Sequence, residues 1–493
     1  MNLDPKWVPM KWPCGPLEFA RRSKSKGAGP ELKETLDAWT QPDSLELLKG
    51  TPVNCLVVEW AEGVPDDSAQ QQALKPLLEA GRRRGLSFVG RIAAGEGTAV
   101  AVASARGAGV SAVMLTDTGG RSLDLPVILQ SSRDKMAWGS ATPIFCSTDN
   151  DWPGLRLETM HGDTAVAGPT GVPWVNSNAW FSLLSQELAP GKNLWLDFDP
   201  PDVSNVAHPA TYPLAIADSE AYGSRWVISL DDSVRSALVK RNSQATSLWS
   251  KTCETLAFFE SHRDWQGFQP HGVLAVVSNY AGDNAAQAGE VLNLLNRRQL
   301  QFRVMERSKA LSKPVPGLKA ILWVDGEAPA GDQLANVLAF VRQGGLLIAS
   351  AYWGPSGVEP TRKDPSFAYK MYNVGQGQIA VSEEGFLDPY QVAMDAHLLL
   401  GRRYDLVRLY NPATTNCRSS VDPLQKKRLV QVLNYSPASA SFVTVWVNTG
   451  VPSAQLWCPE VKLSRRLAGN PAARGTDFEL PTISVNCALE MGG

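Results

Sequence analysis

Eight short apolar runs occupy the first 230 residues, and most are separated by stretches with apolar residues at helical spacing. The runs are 7–12 (WVPMKW), 53–60 (VNCLVVEW), 86–93 (LSFVGRIA), 110–117 (VSAVMLTD), 125–130 (LPVILQ), 142–148 (TPIFCST), 193–198 (NLWLDF) and 225–230 (RWVISL). The intervening stretches 68–85, 98–109 and 177–191 place apolar residues three and four apart, which predicts helices. Short runs buried on both faces and alternating with helices predict a parallel sheet. Eight such units close into a (β/α)8 barrel of TIM type, about 250 residues long. The link from the fifth run to the sixth is too short for a full helix, so a degenerate barrel is expected.

The rhythm restarts near residue 266. Runs at 272–279, 302–306, 318–325, 346–350 and 378–383 predict strands, and 282–299, 331–345 and 388–403 predict helices. This is the pattern of a small Rossmann- or flavodoxin-like α/β domain. From about residue 404 the helical spacing disappears. Runs at 428–435, 441–448, 454–460 and 477–490, split by Pro, Gly, Ser and Asn, predict a small antiparallel β-sandwich. The expected organisation is an α/β chain with a barrel over 1–265, an α/β domain over 266–403 and a β-sandwich over 404–493.

Charge excludes some functions. Forty-seven basic residues balance 49 acidic ones, so no electrostatic reason exists to expect nucleic acid or an anionic membrane as partner. No apolar run reaches the roughly 18 residues of a membrane span. The opening MNLDPKWVPM lacks the charged-then-apolar pattern of a secretory signal; a cytoplasmic chain, or the processed form of a periplasmic or secreted one, would look this way. Seven scattered cysteines contain no C-x-x-C, which argues against a zinc site or a disulfide framework. Buried free thiols are the default reading, with a Cys458–Cys487 bridge as the alternative. None of the five histidines shows metal-ligand spacing. No metal or cofactor is expected.

The predicted strand ends are acidic. Glu59 and Trp60 end the second run, Asp117 ends the fourth, Asp149, Asp151 and Trp152 follow the sixth, and Asp197 and Asp199 end the seventh, which also holds Trp195. In a barrel such ends gather at one mouth. Carboxylates beside aromatic rings suit a sugar, whose C–H faces stack on indole and whose hydroxyls need polar partners. Glycosidic cleavage needs two carboxyl groups, one protonated and one ionised. Asp117, Asp197, Asp149 and Asp151 are therefore the catalytic candidates. Trp12, Glu59, Trp60, Trp152, Trp174, Asn176, Asn178, Trp195 and Asp199 are the substrate-binding candidates. The bland reading stands beside each: an Asp after a strand is often a cap or turn residue, most Trp fill cores, and Ser177 or Asn178 could simply cap the helix that follows.

The order of the three parts resembles the family 42 β-galactosidases. The residues carrying the resemblance are VLAVVSNYAGDN (273–284), FVRQGGLLIASAYWG (340–354) and LNYSPASASFVTVWV (433–447). The resemblance implies a catalytic barrel, an amidotransferase-like domain that mediates oligomers, and a closing β-domain. It implies a homo-oligomer, trimer or dimer, and a carbohydrate substrate. No G-x-C-x-G elbow occurs around LLIASAYWG, so amidotransferase chemistry is not expected. The family's acid/base Glu after strand four and nucleophile Glu after strand seven correspond here only by position, to Asp117 and to Asp197 and Asp199. The expected activity is hydrolysis of a glycosidic bond in an oligo- or polysaccharide. The alternatives are a non-catalytic carbohydrate-binding or scaffold protein with a degenerate barrel, and a ligand-binding sensor centred on the middle domain.

Overall fold

The computed structural model describes residues 3–26, 29–118, 122–155, 159–161, 164–167, 175–200, 211–313, 315–351, 360–364, 369–412 and 414–492. The chain divides into two compact units, Met1–Trp152 with Gly191–His262, and Pro153–Pro190 with Arg263–Gly493.

The first unit is the barrel. Its strands are β1 (Pro9–Lys11), β2 (Cys55–Ala61), β3 (Ser87–Ile92), β4 (Ala112–Leu115), β5 (Val127–Ser131), β6 (Ile144–Ser147), β7 (Asn193–Leu196) and β8 (Arg225–Trp226). They pair in that order, every neighbour parallel. The ring closes where Met10 bridges Ile228 in parallel. Lys11 N–H donates to Ile228 O at 2.8 Å, and Ile228 N–H donates to Pro9 O at 3.0 Å. All eight apolar runs of the sequence are thus barrel strands.

The helical layer is incomplete, as the short fifth-to-sixth link required. Helices follow β1 (Gly15–Lys26, Pro30–Thr40), β2 (Asp67–Arg83), β3 (Thr98–Gly107), β7 (Tyr212–Ala221) and β8 (Asp232–Val239, Ser243–Ser261). Between β5 and β6 only a three-residue turn, Arg133–Lys135, intervenes. Between β6 and β7 the chain passes through Pro153–Pro190, which belongs to the second unit.

Alternation along the strands sorts the barrel interior from its outside. Cys55, Val57, Val89, Ala112, Met114, Ile128, Ile144, Cys146, Trp195 and Val227 form one buried cluster with Leu3 and Trp7. These are the inward side chains, packed as the filled core of such a barrel rather than a pore. Trp195 lies in this core, its ring 6.4 Å from that of Trp7.

The second unit contains a seven-stranded sheet in the order Phe302–Glu306, Leu274–Ser278, Ala320–Trp323, Leu346–Ala349, Gly377–Ser382, Tyr369–Val374, Arg362–Asp364. The first five are parallel and the last two antiparallel. Helices Asp283–Arg297, Gly331–Arg342 and Pro389–Leu400 accompany it, giving the expected doubly wound pattern. Helix Ala179–Leu188 packs on strand Phe302–Glu306 and helix Asp283–Arg297. The C-terminal part forms a six-stranded and a four-stranded sheet that share a core including Val430, Val432, Val445, Phe478 and Leu489. The 477–490 run is two strands, Gly475–Glu479 and Asn486–Gly492. Pro481 lies in the break, where the missing N–H interrupts a ladder. All seven cysteines are free thiols.

Candidate functional site at the barrel mouth

One step of alternation beyond the apolar interior reaches a polar row. Two residues on from Val57, Val89, Ile128, Trp195 and Val227 stand Glu59, Arg91, Gln130, Asp197 and Ser229, and Lys11 ends β1. Period two gives these positions the same inward direction as the core residues below them. They lie at the C-terminal ends of the strands, the end at which barrel enzymes place their chemistry.

The row is one hydrogen-bonded network around Asp197, which is 3% exposed. The Lys11 ammonium is 2.5 Å from Asp197 Oδ1. Arg91 Nη2 donates to Asp197 Oδ2 at 3.1 Å, and Gln130 Nε2 donates to the same oxygen at 3.0 Å. Arg91 Nη1 donates to Glu59 Oε1 at 3.0 Å, and its Nε donates to Gln130 Oε1 at 3.3 Å. One guanidinium, on β3, therefore spans the carboxylates of Glu59 on β2 and Asp197 at the end of β7. Its narrow fork keeps the facing oxygens inside the upper bound of the roughly 5–9.5 Å range of glycosidase carboxyl pairs.

The network continues outward. Lys11 Nζ donates to Asp199 Oδ1 at 3.0 Å, which also accepts from Ser229 Oγ at 3.0 Å. Arg21 Nη1 lies 3.9 Å from Glu59 Oε1, and Arg21 Nη2 donates to the buried Glu18 at 2.6 Å. Arg22 joins Glu18 to Asp232, and Asp232 also pairs with the buried Arg235. Burial works against the charge of Lys11, but Asp197 and Asp199 outweigh it and hold the ammonium above its ordinary pKa. Burial likewise opposes Asp199, and Lys11 beside it holds the carboxyl well below the usual range. Glu59 and Asp197 overcome burial to raise Arg91 above its ordinary value. Glu62 moves the other way: partial burial, then the Glu59 charge, raise its carboxyl above the ordinary value.

Two local devices fix the network. Gln70 is fully buried; its Nε2 donates to Cys14 O at 3.1 Å and Glu59 O at 2.9 Å, and its Oε1 accepts from Leu17 N–H at 3.1 Å. It fits because Gly15 has no side chain: a Cβ there would stand 2.3 Å from Gln70 Oε1, and Gly15 also holds φ +82°. Asn150 Nδ2 donates to Ser147 O at 2.6 Å and Asp197 O at 2.9 Å, tying the ends of β6 and β7.

Of the sequence candidates, Glu59, Asp197 and Asp199 converge here. Asp117 stands two residues beyond β4 and is exposed. Asp149 Oδ1 accepts from Arg133 N–H at 2.6 Å and from Ser147 Oγ at 3.3 Å, while Asp151 pairs with the Arg133 guanidinium at 3.2 Å. Both thus tie the loop after β6 to Arg133. Trp12, Trp60 and Trp195 are each 1% exposed. Trp12 Nε1 donates to Trp39 O at 2.9 Å with the rings 4.4 Å apart, and Trp60 Nε1 donates to Ala101 O at 3.2 Å. These three fill the core and present no open ring face. Trp152 is buried against Tyr212 and Trp226, at 5.5 and 5.7 Å. The indole N–H groups of Trp152 and Trp226 and the Oδ1 of Asn150 are buried without a hydrogen-bond partner among the described residues, a costly state that a bound polar group relieves. Asn176 and Asn178 lie in the second unit. Asn178 precedes helix Ala179–Leu188, and Ser177 Oγ accepts from Ala179 N–H at 3.1 Å. Trp174 lies outside the described residues. Sequence reasoning missed Lys11, Arg91 and Gln130, although their strand positions carried the signal.

No protein-family model matches the chain, and no curated protein matches it. Solved structures do. The α-L-fucosidase isoenzyme 2 from Paenibacillus thiaminolyticus aligns over 98% of this chain and 99% of its own, at TM-score 0.61 and 12% identity. A rhamnosidase from Novosphingobium sp. PP1Y aligns over 86% of this chain and 39% of its own, at TM-score 0.46 and 11% identity. A GH42 β-galactosidase from G. stearothermophilus aligns over 86% and 67%, at TM-score 0.34 and 10% identity. The fucosidase likeness shows a shared fold. The chain has a glycoside-hydrolase-like fold.

Proposed function

We propose that the protein is a glycoside hydrolase that binds a sugar over the polar row at the barrel mouth. The observation that carries this reading is Arg91 spanning Glu59 and Asp197. Asp197 is the anionic partner that faces the anomeric carbon or the attacking water, held by Lys11, Arg91 and Gln130. Glu59 and Asp199 receive sugar hydroxyls, and Asn150 with the Trp152 N–H offers further partners. The proton donor must stay protonated in the free enzyme. Glu62, whose carboxyl burial and the Glu59 charge raise above its ordinary value, is the candidate donor; Asp117 is the donor that strand position alone favours. The three-part division at residues 265 and 403, the family 42 kinship and a homo-oligomer belong to the same proposal, supported by the order of the parts along the sequence.

A second reading rests on a specific observation. Every carboxylate of the row already has a cation beside it, as a retired active site that kept only its scaffold would show. A panel of aryl glycosides, with the α-L-fucoside first because of the fucosidase likeness, separates the two. Hydrolysis supports the enzyme, and glycan binding with no release supports the scaffold. Glu62→Gln then tests the donor. As donor loss it slows substrates with poor leaving groups by about 100-fold and spares activated aryl leaving groups. If Asp117→Asn gives that signature and Glu62→Gln does not, the donor is Asp117.

A further inference from the structure

The second unit holds a cavity of about 270 Å³ at the N-terminal edge of its parallel sheet, walled on the other side by residues of the β-rich sheets. His271, Arg303, Lys319, Arg403 and Tyr404 line it, and among the described residues no carboxylate does. We infer that this cavity is a binding site for a small multivalent oxyanion, a phosphorylated or polycarboxylate metabolite. The inference does not rest on the barrel reading.

Among the described residues no acid neutralises these cations. Arg303 donates to backbone carbonyls, from Nε to Gly272 O at 3.1 Å and from Nη2 to Pro316 O at 3.3 Å. Arg428, behind the lining, donates to Ser419 Oγ at 3.1 Å, Leu406 O at 2.6 Å and Asn448 O at 3.4 Å. The Lys319 ammonium stands 5.8 Å, and the Arg403 guanidinium 4.7 Å, from the centre of the Tyr404 ring. The nearest acids in sequence are engaged elsewhere. Asp405 pairs with His397 at 2.9 Å and Arg408 at 2.7 Å, and Asp422 caps the Lys427 N–H at 2.7 Å.

An ordinary surface lysine is solvated and needs no counter-ion. Here Arg303 and Arg428 are desolvated by the packing around them, while Lys319 and Arg403 line the cavity from exposed positions. His271 feels the two desolvated cations: burial first, then Arg428 and Arg303, push its pKa down to about 4. Arg428 is pushed down to about 10, chiefly by burial. Guanidinium forks and an ammonium around one cavity match the several oxygens of a phosphate or polycarboxylate group. The apolar lining from Val273, Leu406 and Val421 suits the organic body of such a molecule.

Calorimetry on the full chain with inorganic phosphate, pyrophosphate and citrate tests this. At least one is expected to bind saturably, with affinity falling as salt rises. Pyrophosphate without citrate identifies a phosphate ligand, and citrate without pyrophosphate identifies a polycarboxylate. NMR titration of the histidines is expected to show the His271 midpoint rising by at least about one pH unit when the anion is bound, with His271→Asn assigning the signal. The double variant Arg303→Gln, Arg403→Gln is expected to lose at least about tenfold in affinity while melting as a folded protein. Absence of saturable binding by all three anions, or binding that the double variant leaves unchanged, overturns the inference; so does a His271 midpoint that stays put on binding.

Discussion

Two groups of cationic side chains in this protein differ in what faces them. At the barrel mouth Lys11, Arg21, Arg22 and Arg91 each meet a carboxylate. In the second unit Arg303, Lys319, Arg403 and Arg428 meet carbonyls, a hydroxyl and an aromatic ring. The first group is neutralised from within, so each member holds its neighbours in place. The second meets no carboxylate among the described residues, and two of its members, Arg303 and Arg428, are desolvated. Charge counts along the chain cannot separate the two; only the partners do.

The contrast predicts unequal effects for removing a cation. Arg91→Met removes the guanidinium shared by Glu59 and the buried Asp197, and breaking such a pair costs up to about 3–5 kcal/mol. Chemical denaturation should show that loss; a change under about 1 kcal/mol would mean that Lys11 alone suffices for Asp197. Acid is the next lever. His271 has a folded pKa of about 4 against an ordinary 6.5. The unfolded chain therefore takes up a proton that the native state refuses, and stability falls as pH drops from 6.5 towards 4. The loss is at most about 3 kcal/mol, and His271→Asn should flatten that part of the pH–stability curve. Gly15→Ala is expected to cost about 1–3 kcal/mol by displacing Gln70 and adding strain at positive φ, with the melting temperature as readout. The smallest effect belongs to the second unit: Lys319→Ala or Arg403→Ala, both exposed, should change stability by no more than about 0.5 kcal/mol. A large destabilisation there would erase the contrast.

The barrel was legible because inward runs such as LVVEW and AVML are apolar enough to mark strands. Asp197 and Glu59 were legible as acids at strand ends. Arg91 was equally placed: in SFVGRI it follows Val89 by two, so alternation alone puts it inward at the mouth. A search for acids passed over it. The tryptophans were not legible, because whether an indole stacks on a sugar or on Trp39 depends on a helix that sequence spacing cannot dock. The cation cavity was invisible for a similar reason. His271, Arg303, Lys319, Arg403 and Arg428 are far apart in sequence, and only the packing of the sheets gathers them.

Under the proposal above, Asp197 carries hydrolysis at the barrel mouth. Release of sugar from an aryl glycoside by the parent protein and by Asp197→Asn, measured side by side, tests it most directly. Turnover by the parent and a fall of at least about 100-fold in kcat for a variant that remains folded are expected. Equal rates in the two proteins would contradict it.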